Sequence, residues 1–149
     1  MVEIIRINGL LITDLNQITH PKGNILHGMK KDDVGFLGFG EVYFSTIKTG
    51  VVKAWKRHNE MTLNLIVPVG EVRFVFYDGR KDSITFNQFN EIIISNDNYK
   101  RLTIPPGIWM GFQGLGKGLN MLLNIANITH DPNEQTNIPI EDSNMNFSW

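Results

Sequence analysis

The chain has 149 residues, a formal charge of −1 at pH 7 and no cysteine. That length suits one domain, residues 1–149, with a sizeable core. The near-neutral charge gives no reason to expect nucleic acid or an anionic membrane as partner, no apolar run is long enough to span a bilayer, and the lack of cysteine excludes disulfides, thiolate metal sites and cysteine nucleophiles.

Met1-Val2-Glu3-Ile4-Ile5-Arg6 lacks the basic-then-apolar order of a secretory signal, so a cytoplasmic location is expected. Residues 2–7 read as a short β-run closed by the turn pair Asn8-Gly9. Residues 10–13 return as a strand, 19–23 form a loop, 24–29 another strand and 30–33 a charged turn. Gly35-Phe36-Leu37-Gly38-Phe39-Gly40 alternates glycine with apolar residues, which predicts a tight, closely packed bend. No helix signal follows it, so its likeness to a phosphate-binding loop is superficial. Residues 41–47, 51–58, 63–69 and 71–77 then alternate or run apolar as strands. Asp78-Gly79 is a turn dipeptide. Residues 83–89 and 91–95 read as further strands, Asn96-Asp97-Asn98 turns the chain, and 101–104 leads into the rigid turn Pro105-Pro106-Gly107. Residues 108–113 and 119–127 close the series. No stretch makes a convincing amphipathic helix. From about residue 130 a polar, extended tail is expected, and its aromatic end, Phe147-Ser148-Trp149, suggests docking. Many short strands separated by turn signals predict an all-β sandwich or barrel.

Residues 50–70 carry the chemistry. Strict strand alternation places Val52, Ala54, Lys56 and His58 on one face and Lys53, Trp55 and Arg57 on the other. Either the Lys56 face lines a wet pocket, or it is the solvent side of an edge strand.

The spacing resembles the first cupin motif: glycine, five residues, His-x-His, a glutamate, glycine. Gly50 and Gly70 stand at its ends, Lys56 and His58 at its histidines, and Leu63 at its glutamate. The second motif, Pro-x-Gly with a histidine, is matched by Pro105-Pro106-Gly107-Ile108-Trp109-Met110, with Met110 at the histidine. Within the cupins the match sharpens to the dTDP-4-dehydrorhamnose 3,5-epimerases. Val51-Val52-Lys53-Ala54-Trp55-Lys56 resembles that family's Arg-Gly-x-His strand. Asp78-Gly79-Arg80 with Ser83-Ile84-Thr85 resembles its Asp-x-Arg and Ser-x-Thr, Pro106 to Phe112 its Pro-x-Gly-x-x-His-Gly-Phe, and His130 to Glu134 its Tyr-x-Pro-x-x-Glu. The sugar 3,4-ketoisomerases are a second relative, through Lys56-Arg57-His58.

The resemblance implies a cupin double-stranded β-helix, a jelly roll of two antiparallel sheets. It implies a cytoplasmic homodimer, with Phe36, Phe39 and Trp149 as candidate contacts. The function implied is epimerisation or ketoisomerisation of a nucleotide-linked, dTDP-type, 4-keto-6-deoxy sugar for a surface polysaccharide. A sugar-nucleotide binding module that kept the pocket and lost the chemistry is the alternative. No metal is expected, because Lys56 puts a positive charge at a ligand position and only His58 of the ligand set remains; no cofactor is expected either. The family's base position falls on Lys56 and its acid position on Asn124, which leaves His58, Lys56 and Tyr43 as catalytic candidates. The family's phosphate-binding arginines fall on Lys22 and Lys53, and its glutamine and serine on Glu41 and Ser45, with a Glu41–Lys56 pair as a structural option. Asn64, Met110, Asn124 and His130 complete the substrate-binding candidates.

Overall fold

A computed structural model describes residues 6–142 and 145–149. The expected strand over residues 2–7 lies mostly outside them. Among the described residues there is no α-helix, and no helix long and apolar enough to cross a membrane.

Among the described residues twelve strands appear in chain order: β1 (Leu11–Asp14), β2 (Gln17–Ile18), β3 (Ile25–Leu26), β4 (Glu41–Thr46), β5 (Val52–His58), β6 (Leu63–Val69), β7 (Glu71–Asp78), β8 (Phe89–Ser95), β9 (Lys100–Ile104), β10 (Ile108–Gly114), β11 (Met121–Ala126) and β12 (Gln135–Asn137). One sheet runs β1-β9-β6-β11-β4 and the other β12-β5-β10-β7-β8, while β2 and β3 form a separate hairpin. Each strand pair in the sheets is antiparallel. These are the two packed sheets of the jelly roll that the resemblance implied.

The inner faces supply the core, with Leu65, Val67, Phe74, Phe76, Leu102 and Leu122 buried together. The second sheet is buried on its outer face as well, where Trp55, Val75 and Trp109 meet Met145, Phe147 and Trp149 of the C-terminal segment. That explains why β7 reads as nearly continuous apolar sequence rather than a clean alternation. Trp149 thus docks within the chain, against Trp55 and Phe147. The tail is also not simply extended. Pro132–Glu134 makes a 3-10 turn, and β12 then pairs with β5, Gln135 opposite His58.

Two expectations along the chain are corrected. Residues 83–87 form a turn rather than a strand, and β8 runs unbroken through Asn90. The cause is Asp78, whose carboxylate accepts hydrogen bonds from Ser83 Oγ (2.6 Å), Thr85 Oγ1 (2.7 Å) and Arg80 Nε (2.9 Å). Asn87, at φ 66°, then takes the left-handed conformation that turns the chain into β8. The second correction concerns residues 24–29, of which only Ile25–Leu26 is strand. The chain beyond it is held instead by the buried Arg101, which donates to Gly28 O (2.8 Å), Val34 O (3.3 Å) and Asp33 Oδ2 (3.1 Å).

Candidate active site

Between the sheets lies a cavity of about 630 Å³, within the usual size of small-molecule sites. Leu63, Leu65, Met110, Phe112 and Leu122 give it an apolar floor. Tyr43 and Ser45 of β4 and Asn124 of β11 reach it from the first sheet; Lys53, Lys56 and His58 of β5 reach it from the second. An adjoining chamber of about 420 Å³ shares Tyr43, Lys56 and His58 and adds Glu41, His130 and Gln135.

Strand β5 lies between β10 and β12, so the Lys56 face is no solvent side of an edge strand. Simple alternation fails at one point on it. Met110 opposes Lys56 and Phe112 opposes Lys53, so two residues of β5 sit against the single Gly111 of β10. This is a β-bulge, and it moves everything before it to the other face. Lys53 therefore lines the same cavity as Lys56, and Val52, opposite Gln113, falls on the outer face. Gly111 permits the close approach: a β-carbon there would lie 2.6 Å from both the Ala54 methyl and the Trp149 ring.

His58 Nδ1 hydrogen-bonds Glu134 Oε1, and the other oxygen of Glu134 accepts from the amides of Asn59 (3.2 Å), Glu60 (3.1 Å) and Met61 (3.1 Å). Burial works against ionisation of Glu134. The His58 bond and the Glu60 and Met61 amides outweigh it and hold the carboxyl below its ordinary pKa. An ionised Glu134 fixes the proton of neutral His58 on Nδ1 and leaves Nε2 as a base. Sequence reasoning saw Glu134 as part of a motif and missed this contact. The available signal was Asp131-Pro132, a turn start that fixes where the glutamate falls.

On the facing sheet, Asn124 Nδ2 donates to Tyr43 Oη at 2.9 Å. Burial, with the Glu41 carboxylate adding to it, pushes the Tyr43 hydroxyl above its ordinary pKa, so it keeps its proton at neutral pH. Lys53 Nζ donates to Thr46 O (3.0 Å) and stands 5.9 Å from the centre of the Phe112 ring. Among the described residues the Lys56 ammonium has no hydrogen-bond or ion-pair partner, and the Glu41–Lys56 pair does not form. Among them, too, no group of three or more His, Cys, Asp or Glu converges as a metal site would need.

Two candidates are not brought to the cavity. Asn64 lies on the outer face of β6, because its neighbours Leu63 and Leu65 point inward; it accepts from Thr103 Oγ1 (2.6 Å) and donates to Gly35 O (3.0 Å). Lys22 sits in the exposed turn of the β2–β3 hairpin and lines neither chamber.

Comparison with known proteins agrees with this architecture. A family model described as dTDP-4-dehydrorhamnose 3,5-epimerase matches residues 5–149. The spore coat polysaccharide biosynthesis protein SpsL of Bacillus subtilis is 26% identical over 145 residues, covering 96% of each chain. The probable low-salt glycan biosynthesis epimerase Agl13 of Haloferax volcanii is 31% identical over 111 residues, 72% of this chain and 70% of that protein. A crystal structure of a dTDP sugar isomerase from Desulfovibrio desulfuricans superposes with a TM-score of 0.92 at 38% identity, covering 96% of this chain and 92% of that one.

Proposed function

The chain belongs to the dTDP-4-dehydrorhamnose 3,5-epimerase family, and from that premise we propose that it is a cytoplasmic epimerase or ketoisomerase of a dTDP-linked 4-keto-6-deoxy sugar, serving a surface polysaccharide. The polysaccharide context is supported by the names of its relatives. The observation that carries the reaction is His58, held by the Glu134 carboxylate on one wall of the cavity, with Tyr43 on the facing wall.

In this reaction His58 Nε2 removes a proton from a carbon next to the ketone. The electron pair moves onto the ketone oxygen, and the Lys56 ammonium stabilises the enolate that forms. Glu134 stabilises the imidazolium without itself taking the proton. Tyr43 accepts a hydrogen bond from Asn124, which leaves its own O–H free to donate. A proton returned from Tyr43 arrives on the face opposite His58 and inverts the carbon. Where the deprotonated carbon bears a hydroxyl, that hydroxyl passes its proton to the enolate oxygen, and the proton held by His58 returns to the former carbonyl carbon, which moves the ketone to the neighbouring carbon. Lys53 and Ser45 face the diphosphate. The proposed reaction uses no metal and no cofactor, and the protein acts as a homodimer.

Incubation with dTDP-4-keto-6-deoxy sugars in heavy water tests this. Deuterium should enter at a carbon beside the ketone. Tight binding with no uptake from any keto sugar would leave a sugar-nucleotide binding module in place of the enzyme.

A further inference from the structure

Residues 52–54 of β5 have two registers open to them against β10. In the regular one Lys53 would stand opposite Gln113 on the outer face, and Val52 would point into the cavity, the order that their polarity favours. The structure holds the other. Lys53 stands opposite Phe112 and shares the cavity with Lys56, while Val52 stands opposite Gln113. The extra residue of a bulge has no partner in the ladder, and a slip of one residue exchanges the two faces. Something other than the hydrophobic pattern therefore selects this register.

The C-terminal segment supplies it. Just beyond β12 the chain pairs with the bulge itself, Trp55 N donating to Ile138 O (2.9 Å) and Ile138 N to Trp55 O (3.0 Å). The segment then sets the Trp149 ring against Gly111 and Ala54. That ring lies 5.4 Å from Trp55 and 5.2 Å from Phe147, centre to centre. The Arg73 guanidinium stands 5.5 Å from the Phe147 and Trp149 rings alike, and is held by Glu91 (2.6 Å) and Gln113 (3.3 Å). In the regular register Lys53 would turn its ammonium onto this face beside Gln113. It would there meet the aromatic cluster and, across β10, the like charge of Arg73.

We propose that Trp149 is a positioning residue, which sets the register of β5 from outside the sheet and so keeps Lys53 in the cavity. Gly111 leaves room for the bulge, and the indole packed on it closes the alternative. The inference rests on the reading above that Lys53 faces the diphosphate. It adds a residue that acts on nucleotide binding without lining the cavity.

A double-mutant cycle on dTDP affinity, read by calorimetry, tests this. Trp149→Ala should weaken dTDP binding at least about tenfold, as Lys53→Ala does, the factor that one hydrogen bond to a charged group supplies. The double variant should bind no more weakly than either single one, because both lose the same contact. Phe89→Ala removes a ring that stacks on Phe147 in the same cluster. It should lower thermal stability and keep dTDP affinity. Cross-strand amide contacts in nuclear magnetic resonance read the register without any ligand: Lys53 opposite Phe112 in the wild type, opposite Gln113 in Trp149→Ala. Trp149→Leu gives the same comparison if the alanine variant does not fold. Full dTDP affinity without the indole, losses that add in the double variant, an equal loss in Phe89→Ala, or a bulge that persists in the Trp149 variants each overturns the proposal. A wild type that binds no dTDP overturns the nucleotide reading, and the register comparison still decides the role of Trp149.

Discussion

His58, Lys56 and Lys53 lie within six positions of one strand, yet their replacement should have three different results. His58→Asn removes the base and should lower proton exchange by at least about a hundredfold, the usual contribution of a general base, with dTDP binding retained. Lys56→Ala removes the charge facing the enolate, so turnover should fall with little change in affinity. Lys53→Ala removes a cation from the phosphate end, and dTDP binding should weaken by about 1–3 kcal/mol, the scale of a hydrogen bond to a charged group. Exchange rates and dTDP titrations on the three variants check this, and exchange that persists without both His58 and Lys56 places the chemistry elsewhere. Because the proposed steps use side chains alone, a chelator should leave exchange unchanged. One tightly held metal per chain, whose removal stops exchange, would refute that. Alternation puts Lys56 and His58 on one face and leaves open whether that face is pocket or solvent; the family resemblance is what points it inward. Glu134 as their neighbour was not legible, since 76 residues separate it from His58 and only the return of β12 to β5 joins them.

At the scale of elements, the bulge in β5 is the feature that turns Lys53 into the cavity, at the proposed phosphate end. It depends on Gly111, because a β-carbon there would press on the Ala54 methyl and the Trp149 ring at once. Gly111→Ala should destabilise the fold by about 1–3 kcal/mol, as overpacking does, and should weaken dTDP binding by displacing Lys53. Thermal unfolding and titration of the variant would show both, and unchanged values for both would mean that the bulge does not need this glycine. Most strands were readable from their alternation and turns, β6 and β7 to within a residue. The failures have local causes. Alternation carries no signal of a bulge, so it puts Lys53 on the face opposite Lys56, where the structure has both on one face. Ser83 and Thr85 look like strand residues, but their hydroxyls bind Asp78 and hold a turn. Asn64 lies beside a motif position, and strand periodicity sends it to the face away from the cavity.

At the scale of the whole molecule, acid and association are the two sensitive conditions. The buried Asp78 ties the 79–88 turn to the chain start, since Arg80 donates to both Asp78 and Asn8 O, and Thr85 Oγ1 accepts from the Asn8 amide. Burial opposes its ionisation, but hydrogen bonds from Arg80, Ser83 and Thr85 prevail and hold its pKa far below the ordinary range. A depressed carboxylate stabilises the fold above the unfolded pKa of about 4 and loses that contribution as pH falls toward the folded value. Urea unfolding at stepped pH should therefore show stability dropping below about pH 4, with a shallower slope in Asp78→Asn; equal slopes would remove Asp78 as the cause. Association is the second condition. Strand β4 is an edge of its sheet, and its outward Val42 and Phe44 are 48% and 65% exposed. An open edge with apolar side chains invites pairing unless it is covered. In a homodimer a second copy covers it, and the isologous contact puts the same two residues on both sides. Sedimentation of the wild type should give a dimer across a wide concentration range. Phe44→Lys should shift the protein toward monomer while its thermal unfolding stays cooperative. A wild type that sediments as a monomer throughout that range would show that this edge is left open.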